Sequence, residues 1–287
     1  MRYTLQISPL TAVLGSCALS AFFVISLYLW KLAGYKDQSR DEKGTIQRRF
    51  VSASLSCLCS VALIWSLAEP VQEGEDGQTM SELLGLQSHE LLRACAQCLA
   101  LTVILFAGPI VQHWVSVWEG EAPLVSMTPG GSWVALRNYA IAPLYEEFVF
   151  RACLVRLWVA AGFPKSMIIF CSPFCFAMAH AHHFIEHVRR LKSKTEALIQ
   201  VAFQVFYTSL FGMYSNFLLL RTGSTVAVIL THSFCNHQGF PDVSFLVTEH
   251  DVLYQHRIWL GVLYLTGVVA FCCSIAPLTE GFSSTYA

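Results

Sequence analysis

The sequence predicts an all-α, polytopic membrane protein in which about eight transmembrane helices enclose a polar cavity open to the cytosol. Composition indicates this class, because 55% of the 287 residues are hydrophobic and only 13% are charged, whereas soluble domains carry about 25% charged residues. The mean hydropathy of +0.52 agrees with it. Several apolar segments also reach about 20 residues, the length that crosses a bilayer. The net charge of −1 gives no indication of nucleic-acid binding.

The apolar segments follow one another along most of the chain. They lie near residues 10–33, 50–69, 92–113, 134–161, 198–220 and 257–277, with two shorter candidates at 165–182 and 224–239. Because the shorter ones carry His180 and His232, we expect them to be buried in the helix bundle, away from lipid. The pattern predicts a single membrane-embedded domain, residues 1–287, with its motif-bearing core at about 134–240. We expect the tail from Thr279 onwards to be disordered.

The distribution of basic residues predicts the orientation. The loop at 31–49 contains six lysines and arginines and the loop at 189–194 contains four, whereas residues 69–90 contain none. Loops rich in basic residues stay in the cytosol, so the loops at 31–49 and 189–194 should be cytosolic. Eight alternating spans satisfy both assignments and place the two termini on the other side.

The fourth apolar segment contains Glu146, Glu147 and Arg151. A charge at the centre of a membrane helix costs roughly 3 kcal/mol or more unless it is paired or faces a wet cavity. Residues at i and i+4 share a helical face, so Arg151 should pair with Glu147 and leave Glu146 turned towards another neighbour. Pro143 should kink the segment and free a backbone carbonyl near the carboxylates. An ion pair that only pins helices together is the structural alternative.

Two further segments contribute polar groups, and together the three segments favour hydrolytic chemistry. A carboxylate such as Glu146 in a low-dielectric site can act as general base on a water molecule. His180 could orient that water or pass its proton to the leaving amine. His232 and Asn236, at i and i+4 on one helical face, can each present an N–H to a developing oxyanion.

Two other functions fit the same residues. His183, Glu186 and His187 form an H-x-x-E-H sequence, which is typical of zinc-dependent peptidases with inverted ligand order. Its position at a predicted membrane edge also fits an ordinary interfacial helix end. Alternatively, Glu146, Glu147 and the histidines could form the proton relay of a non-enzymatic, proton-coupled transporter.

The ordered set of motifs resembles that of the type II CAAX prenyl endopeptidases over residues 134–240. The three motifs are Glu146-Glu147-x-x-x-Arg151, Phe176-x-x-x-His180 and His232-x-x-x-Asn236. The resemblance implies an eight-helix, multi-pass glutamate protease of the endoplasmic reticulum membrane, accessible from the cytosol, with no metal and no other cofactor. Its implied partners are membrane lipid and farnesylated or geranylgeranylated CAAX proteins such as small GTPases. Its implied reaction removes the C-terminal -aaX tripeptide.

The resemblance also implies a role for each motif residue. Glu146 activates the water and His180 helps to hold it, while His232 and Asn236 form the oxyanion hole. Glu147 and Arg151 are implied to support the site as an ion pair. Phe176 is expected to pack rather than to take part in catalysis.

Overall fold

The structure, a computed structural model, is predominantly helical and describes residues 1–35, 39–72, 76–86, 90–124, 130–180, 184, 188, 193–284 and 286. The first α-helices are α1 (Pro9–Ser26), α2 (Leu29–Leu32), α3 (Lys43–Leu67), α4 (Met80–Leu83), α5 (Leu91–Leu105), α6 (Ala107–Trp118) and α7 (Ser132–Leu136). The next are α8 (Ala142–Glu147), α9 (Leu154–Ala160), α10 (Lys165–Phe170), α11 (Pro173–Ala179), α12 (Lys194–Thr222), α13 (Thr225–Gln238) and α14 (Arg257–Ser274).

The remaining regular elements are short. Short 3-10 helices cover Ser244–Leu246, Val252–His256 and Pro277–Thr279. Two strands of two residues each, β1 (Tyr3–Thr4) and β2 (Glu69–Pro70), pair antiparallel.

The helices confirm an all-α membrane protein. Each predicted apolar segment is helical over most of its described length. Among the described residues, four helical segments are long and apolar enough to cross a bilayer: Pro9–Ser26, Lys43–Leu67, Lys194–Thr222 and Val252–Ser274. The pair α5 and α6, bent by 64° at its junction, could form a fifth span. The prediction of about eight spans stays a prediction, because α10, α11 and α13 are shorter than a full span.

The fourth predicted segment is one continuous run of helix with two distortions. Residues Arg137–Ile141 and Phe148–Cys153 are π-helical and join α7, α8 and α9. Pro143 lies at the start of α8, directly after the first π turn, so the distortion expected at this proline takes the form of a wider helical turn. Single π turns inside α-helices are frequent at functional sites. The two turns here enclose Glu146 and Glu147.

Neighbouring helices pack around this segment. The second π turn contacts α1, α3, α9, α11, α12 and α13. Helix α13 also packs on α5, α8 and the first π turn, while α11 packs on α12 and α1. The segment that carries the glutamates therefore lies inside the bundle.

The C-terminal tail is folded against the helices in its described part, so the prediction of disorder from Thr279 onwards is wrong there. The Tyr286 side chain is buried, and its hydroxyl donates to the Leu83 carbonyl at 3.0 Å. The Arg156 guanidinium carbon lies 3.9 Å from the centre of the Tyr286 ring. Arg93 donates to the Glu280 carbonyl at 3.0 Å. Burial of the aromatic ring and these charged contacts offset the entropy cost of ordering the tail.

We predict that Tyr286→Ala lowers the free energy of unfolding by about 3–5 kcal/mol, because it leaves a cavity the size of an aromatic ring. Tyr286→Phe should cost only about 1 kcal/mol, the value of one hydrogen bond. The exposed Ser283→Ala is the matched control in the same tail and should change stability by less than about 0.5 kcal/mol. The free energies of unfolding of the three variants can be compared in detergent micelles. Equal stability of Tyr286→Ala and Ser283→Ala would show that the tail is not held in place.

Candidate active site

The Glu147–Arg151 ion pair lies at the centre of the site. Both side chains are buried, with exposed fractions of 0% and 1%, and Glu147 Oε2 lies 3.1 Å from Arg151 Nε. The spacing of four residues brings them to one helical face, as the sequence predicts. A single buried charge would be strongly destabilising without its partner. The pair therefore fixes the α8 segment in the low-dielectric interior.

His232 lies between the two glutamates. Its Nδ1 atom is 2.6 Å from Glu147 Oε1, and its Nε2 atom is 3.9 Å from Glu146 Oε2. An ionised carboxylate can only accept a hydrogen bond, so Nδ1 carries a proton and donates it to Glu147. Glu147 thus uses one oxygen for Arg151 and the other for His232. A carboxylate in this position fixes the orientation of an imidazole ring.

Glu146 is the more exposed of the two carboxylates. Its side chain is 20% exposed, in contrast to the fully buried Glu147. The adjacent Tyr145 hydroxyl is hydrogen-bonded to the Ser54 hydroxyl at 2.7 Å, which ties α8 to α3. The 3.9 Å between Glu146 and His232 exceeds a direct hydrogen bond and suits a single bridging water. Glu146 therefore faces His232 and not Arg151, whereas Glu147 contacts both groups.

Two phenylalanine rings cover the charged groups. The Arg151 guanidinium carbon lies 4.4 Å from the centre of the Phe176 ring. The same ring lies 4.7 Å from the His180 ring and 6.5 Å from the His232 ring. Phe211, on α12, lies 4.5 Å from the His232 ring. A desolvated cation over an aromatic face gains about 2 kcal/mol. Phe176 therefore packs between groups from several helices.

His180 lies at the end of α11, against Phe176. Its Nδ1 atom is 2.9 Å from the Phe176 carbonyl oxygen. A carbonyl oxygen only accepts, so Nδ1 carries the proton in this contact.

Asn236 lies one helical turn beyond His232, on the exposed part of α13. Its Nδ2 donates to the Asn138 carbonyl at 2.9 Å. In the π turn the Ala142 N–H donates to the Arg137 carbonyl, five residues earlier. The next hydrogen bond of the same pattern would need an N–H at position 143 to donate to the Asn138 carbonyl. Because Pro143 has no N–H, it cannot make this hydrogen bond. The Asn236 side-chain amide donates to the Asn138 carbonyl instead. The sequence predicts a freed carbonyl at this place.

The structure brings together Glu146, Glu147, Arg151, Phe176 and His232, with His180 packed on Phe176. Asn236 is anchored to the backbone of the same glutamate-bearing segment. The alternative zinc ligands His183, Glu186 and His187 lie outside the described residues, and that alternative is untested.

Known proteins match the chain over most of its length. A family model described as "Type II CAAX prenyl endopeptidase Rce1-like" matches residues 128–237. "CAAX prenyl protease 2" of Homo sapiens is 36% identical over 283 residues, which cover 94% of this chain and 81% of the relative. "CAAX prenyl protease 2" of Arabidopsis thaliana is 28% identical over 296 residues, covering 96% and 91%. The chain belongs to the type II CAAX prenyl endopeptidase family. No solved structure matches it.

The family match includes every motif residue discussed above, but some supporting residues escape sequence reasoning. Phe211 and Gly212 lie in an apolar helix with no polar motif nearby. A Cβ atom at Gly212 would lie 2.7 Å from Pro173 Cβ and 3.2 Å from Arg151 Nη2. Gly212 therefore provides the space in which the Arg151 guanidinium and α11 approach α12. A glycine inside an apolar helix is the one sequence signal of such a close approach.

We predict that replacing two helical glycines by alanine changes the stability of this protein in opposite directions. Gly212→Ala should lower the free energy of unfolding by about 1–3 kcal/mol, because the new methyl overlaps rigid Pro173. Gly261→Ala, whose Cβ would meet only Leu246 Cδ2 at 3.5 Å, should raise it by about 0.4–1 kcal/mol. Thermal unfolding of both variants in the same detergent measures the difference. Equal shifts in the two variants would contradict the close approach at Arg151.

Proposed function

We propose that this chain is an intramembrane endopeptidase that removes the C-terminal -aaX tripeptide from prenylated CAAX proteins. The observation that carries the proposal is the arrangement of two carboxylates around His232, in which Glu146 is partly exposed and Glu147 is fully buried. Only one of the two is thus available for chemistry. The names of the curated relatives support the substrate class, because each is a CAAX prenyl protease.

In the proposed reaction Glu146 is the general base. A water molecule between Glu146 and His232 gives a proton to the carboxylate, and its oxygen attacks the carbonyl carbon of the prenylated cysteine. The resulting tetrahedral intermediate carries an oxyanion. When it collapses, the bond to the next residue's nitrogen breaks, and the proton is delivered to that leaving amine. The products are a C-terminal prenylcysteine carboxylate and a free tripeptide.

His232 and Asn236 form the proposed oxyanion hole. Because Nδ1–H is donated to Glu147, we propose that His232 enters the reaction with a proton on Nε2 as well. This N–H donates to the oxyanion and keeps its proton throughout, and Glu147 offsets the charge of the ring. An amide group has two N–H donors, so Asn236 can keep its bond to Asn138 and use the second for the substrate. His180 is proposed to help hold the attacking water. Glu147 and Arg151 support His232 without touching substrate.

The proposed setting is a cavity that about eight helices enclose and that opens to the cytosol, in a protein of the endoplasmic reticulum membrane. A prenylated C-terminus partitions to the membrane surface, so small GTPases with such a tail are the proposed partners, together with lipid. No metal or other cofactor is required by this mechanism.

The decisive experiment follows release of the last three residues from a farnesylated peptide by the purified protein. Glu146→Gln should lower kcat by about 10²–10⁴-fold, because it removes the general base but keeps the side-chain volume. The exposed Glu121→Gln is the matched control and should retain full activity. A chelator should leave the rate unchanged. Full activity of Glu146→Gln, or loss of activity with chelator, would overturn the mechanism.

A second prediction concerns the oxyanion hole. Asn236→Ala should lower kcat by about 10²–10³-fold, equivalent to about 2.7–4 kcal/mol of transition-state stabilisation. KM should change little, because the interaction strengthens only as charge develops. Gln238→Ala, two positions later in α13, serves as control. A rise in KM with unchanged kcat would instead indicate that Asn236 binds the ground-state substrate.

A further inference from the structure

An aromatic stripe runs along one face of α12 and ends at the candidate site. Phe203, Tyr207 and Phe211 follow at intervals of four residues, so they share a helical face. The Phe203 and Tyr207 rings lie 5.5 Å apart. At the inner end, Phe211 lies 4.5 Å from the His232 ring. With a rise of 1.5 Å per residue, the stripe spans about 12 Å.

A fourth ring from a different element completes the outer end of the stripe. Helix α13 ends at Gln238, and the next residue, Gly239, has a φ of 71°, in the region that favours glycine. The chain turns there and places Phe240 against α12. The Phe240 ring lies 4.9 Å from that of Phe203 and 6.0 Å from that of Tyr207. Two neighbouring segments thus contribute to one aromatic surface, which we define as Phe203, Tyr207, Phe211 and Phe240.

The aromatic surface is exposed at its outer end and half-buried at the site. Phe240 is 64% exposed and Phe203 is 45% exposed, whereas the inner end packs on the buried His232. An apolar ligand that binds close to His232 could therefore extend from Phe211 along the same helical face towards Phe203 and Phe240. Within a membrane span the gain from covering such rings comes from close van der Waals packing of ring against ligand.

We propose that this aromatic surface binds the isoprenoid group of the substrate, and the proposal rests on the endopeptidase function above. The isoprenoid is bonded to the sulfur of the cysteine whose carbonyl carbon is attacked. Its first carbon atoms must therefore lie within one residue of Glu146 and His232. Phe211, in contact with His232, is the inner end of an apolar path that begins at this point. Phe203 and Phe240 contact the distal isoprene units, so they determine the preference for chain length.

The test compares farnesylated and geranylgeranylated peptides that have the same -aaX tail. Phe203→Ala and Phe240→Ala should each raise KM about tenfold, the equivalent of about 1.4 kcal/mol of lost apolar contact, with kcat nearly unchanged. The increase should be greater for the longer geranylgeranyl group. Tyr207→Phe should keep the wild-type KM because the ring is retained, whereas Tyr207→Ala should raise it.

Phe206→Ala is the matched control, since Phe206 is a 60% exposed phenylalanine of the same helix that lies outside the aromatic surface. It should leave KM unchanged for both peptides. Variants that alter the preference among -aaX tails, but not between isoprenoids, would show that the surface binds the tripeptide instead. An unchanged KM in an active enzyme would overturn the inference alone, whereas a wild-type protein that releases no tripeptide would overturn the proposed function.

Photolabelling makes the inference testable without catalysis. A farnesylated peptide with a diazirine at the distal end of its isoprenoid should label Phe203, Phe240 or their immediate neighbours in the Glu146→Gln variant. Excess farnesylated peptide without the diazirine should reduce the labelling. Labelling confined to other helices would overturn the assignment even if the enzyme proved inactive.

Discussion

The buried carboxylate of Glu147 is the constraint on which the site depends. A charge with no exposed surface must be compensated by partners in the protein interior, and here two groups share the task. Arg151 lies 3.1 Å from one oxygen, and His232 lies 2.6 Å from the other. The first contact fixes the carboxylate within its own helix, and the second fixes the histidine of α13 relative to that helix. Glu146 can then lie opposite His232 without being neutralised by Arg151.

The apolar surroundings are as important as the charges, because they keep the local dielectric low and thereby strengthen each polar contact. Phe176 lies against Arg151 and close to two histidines, while Phe211 covers His232 from α12. The absence of a side chain at Gly212 lets α11 and α12 approach. The same α12 face that covers the site continues outwards as the proposed isoprenoid surface, so one helix would serve both the reacting groups and the lipid.

Local sequence rules predicted much of the site but not its connections. The i, i+4 rule gave the Glu147–Arg151 pair, and the rule that proline lacks an N–H gave the freed carbonyl near Pro143. Neither rule could show that Asn236 would bond that carbonyl, since the two residues lie on different helices. The prediction that the C-terminal tail is disordered was wrong, because the buried Tyr286 side chain holds this polar segment against the helices. Composition describes only the average polarity of a segment. A single buried aromatic residue with a cationic neighbour can hold the whole segment in one conformation.

The sequence by itself determined the helical class, the positions of the apolar segments, and the motif residues with their family resemblance. These properties depend on residue type and on spacing along one helix, which periodicity reveals. Only the tertiary structure decided that His232 donates to Glu147, 85 positions away, and that Phe211 and Gly212 complete the site. Such contacts depend on how helices pack, and packing depends on the shapes of many side chains at once. A single sequence does not specify that geometry through any local rule.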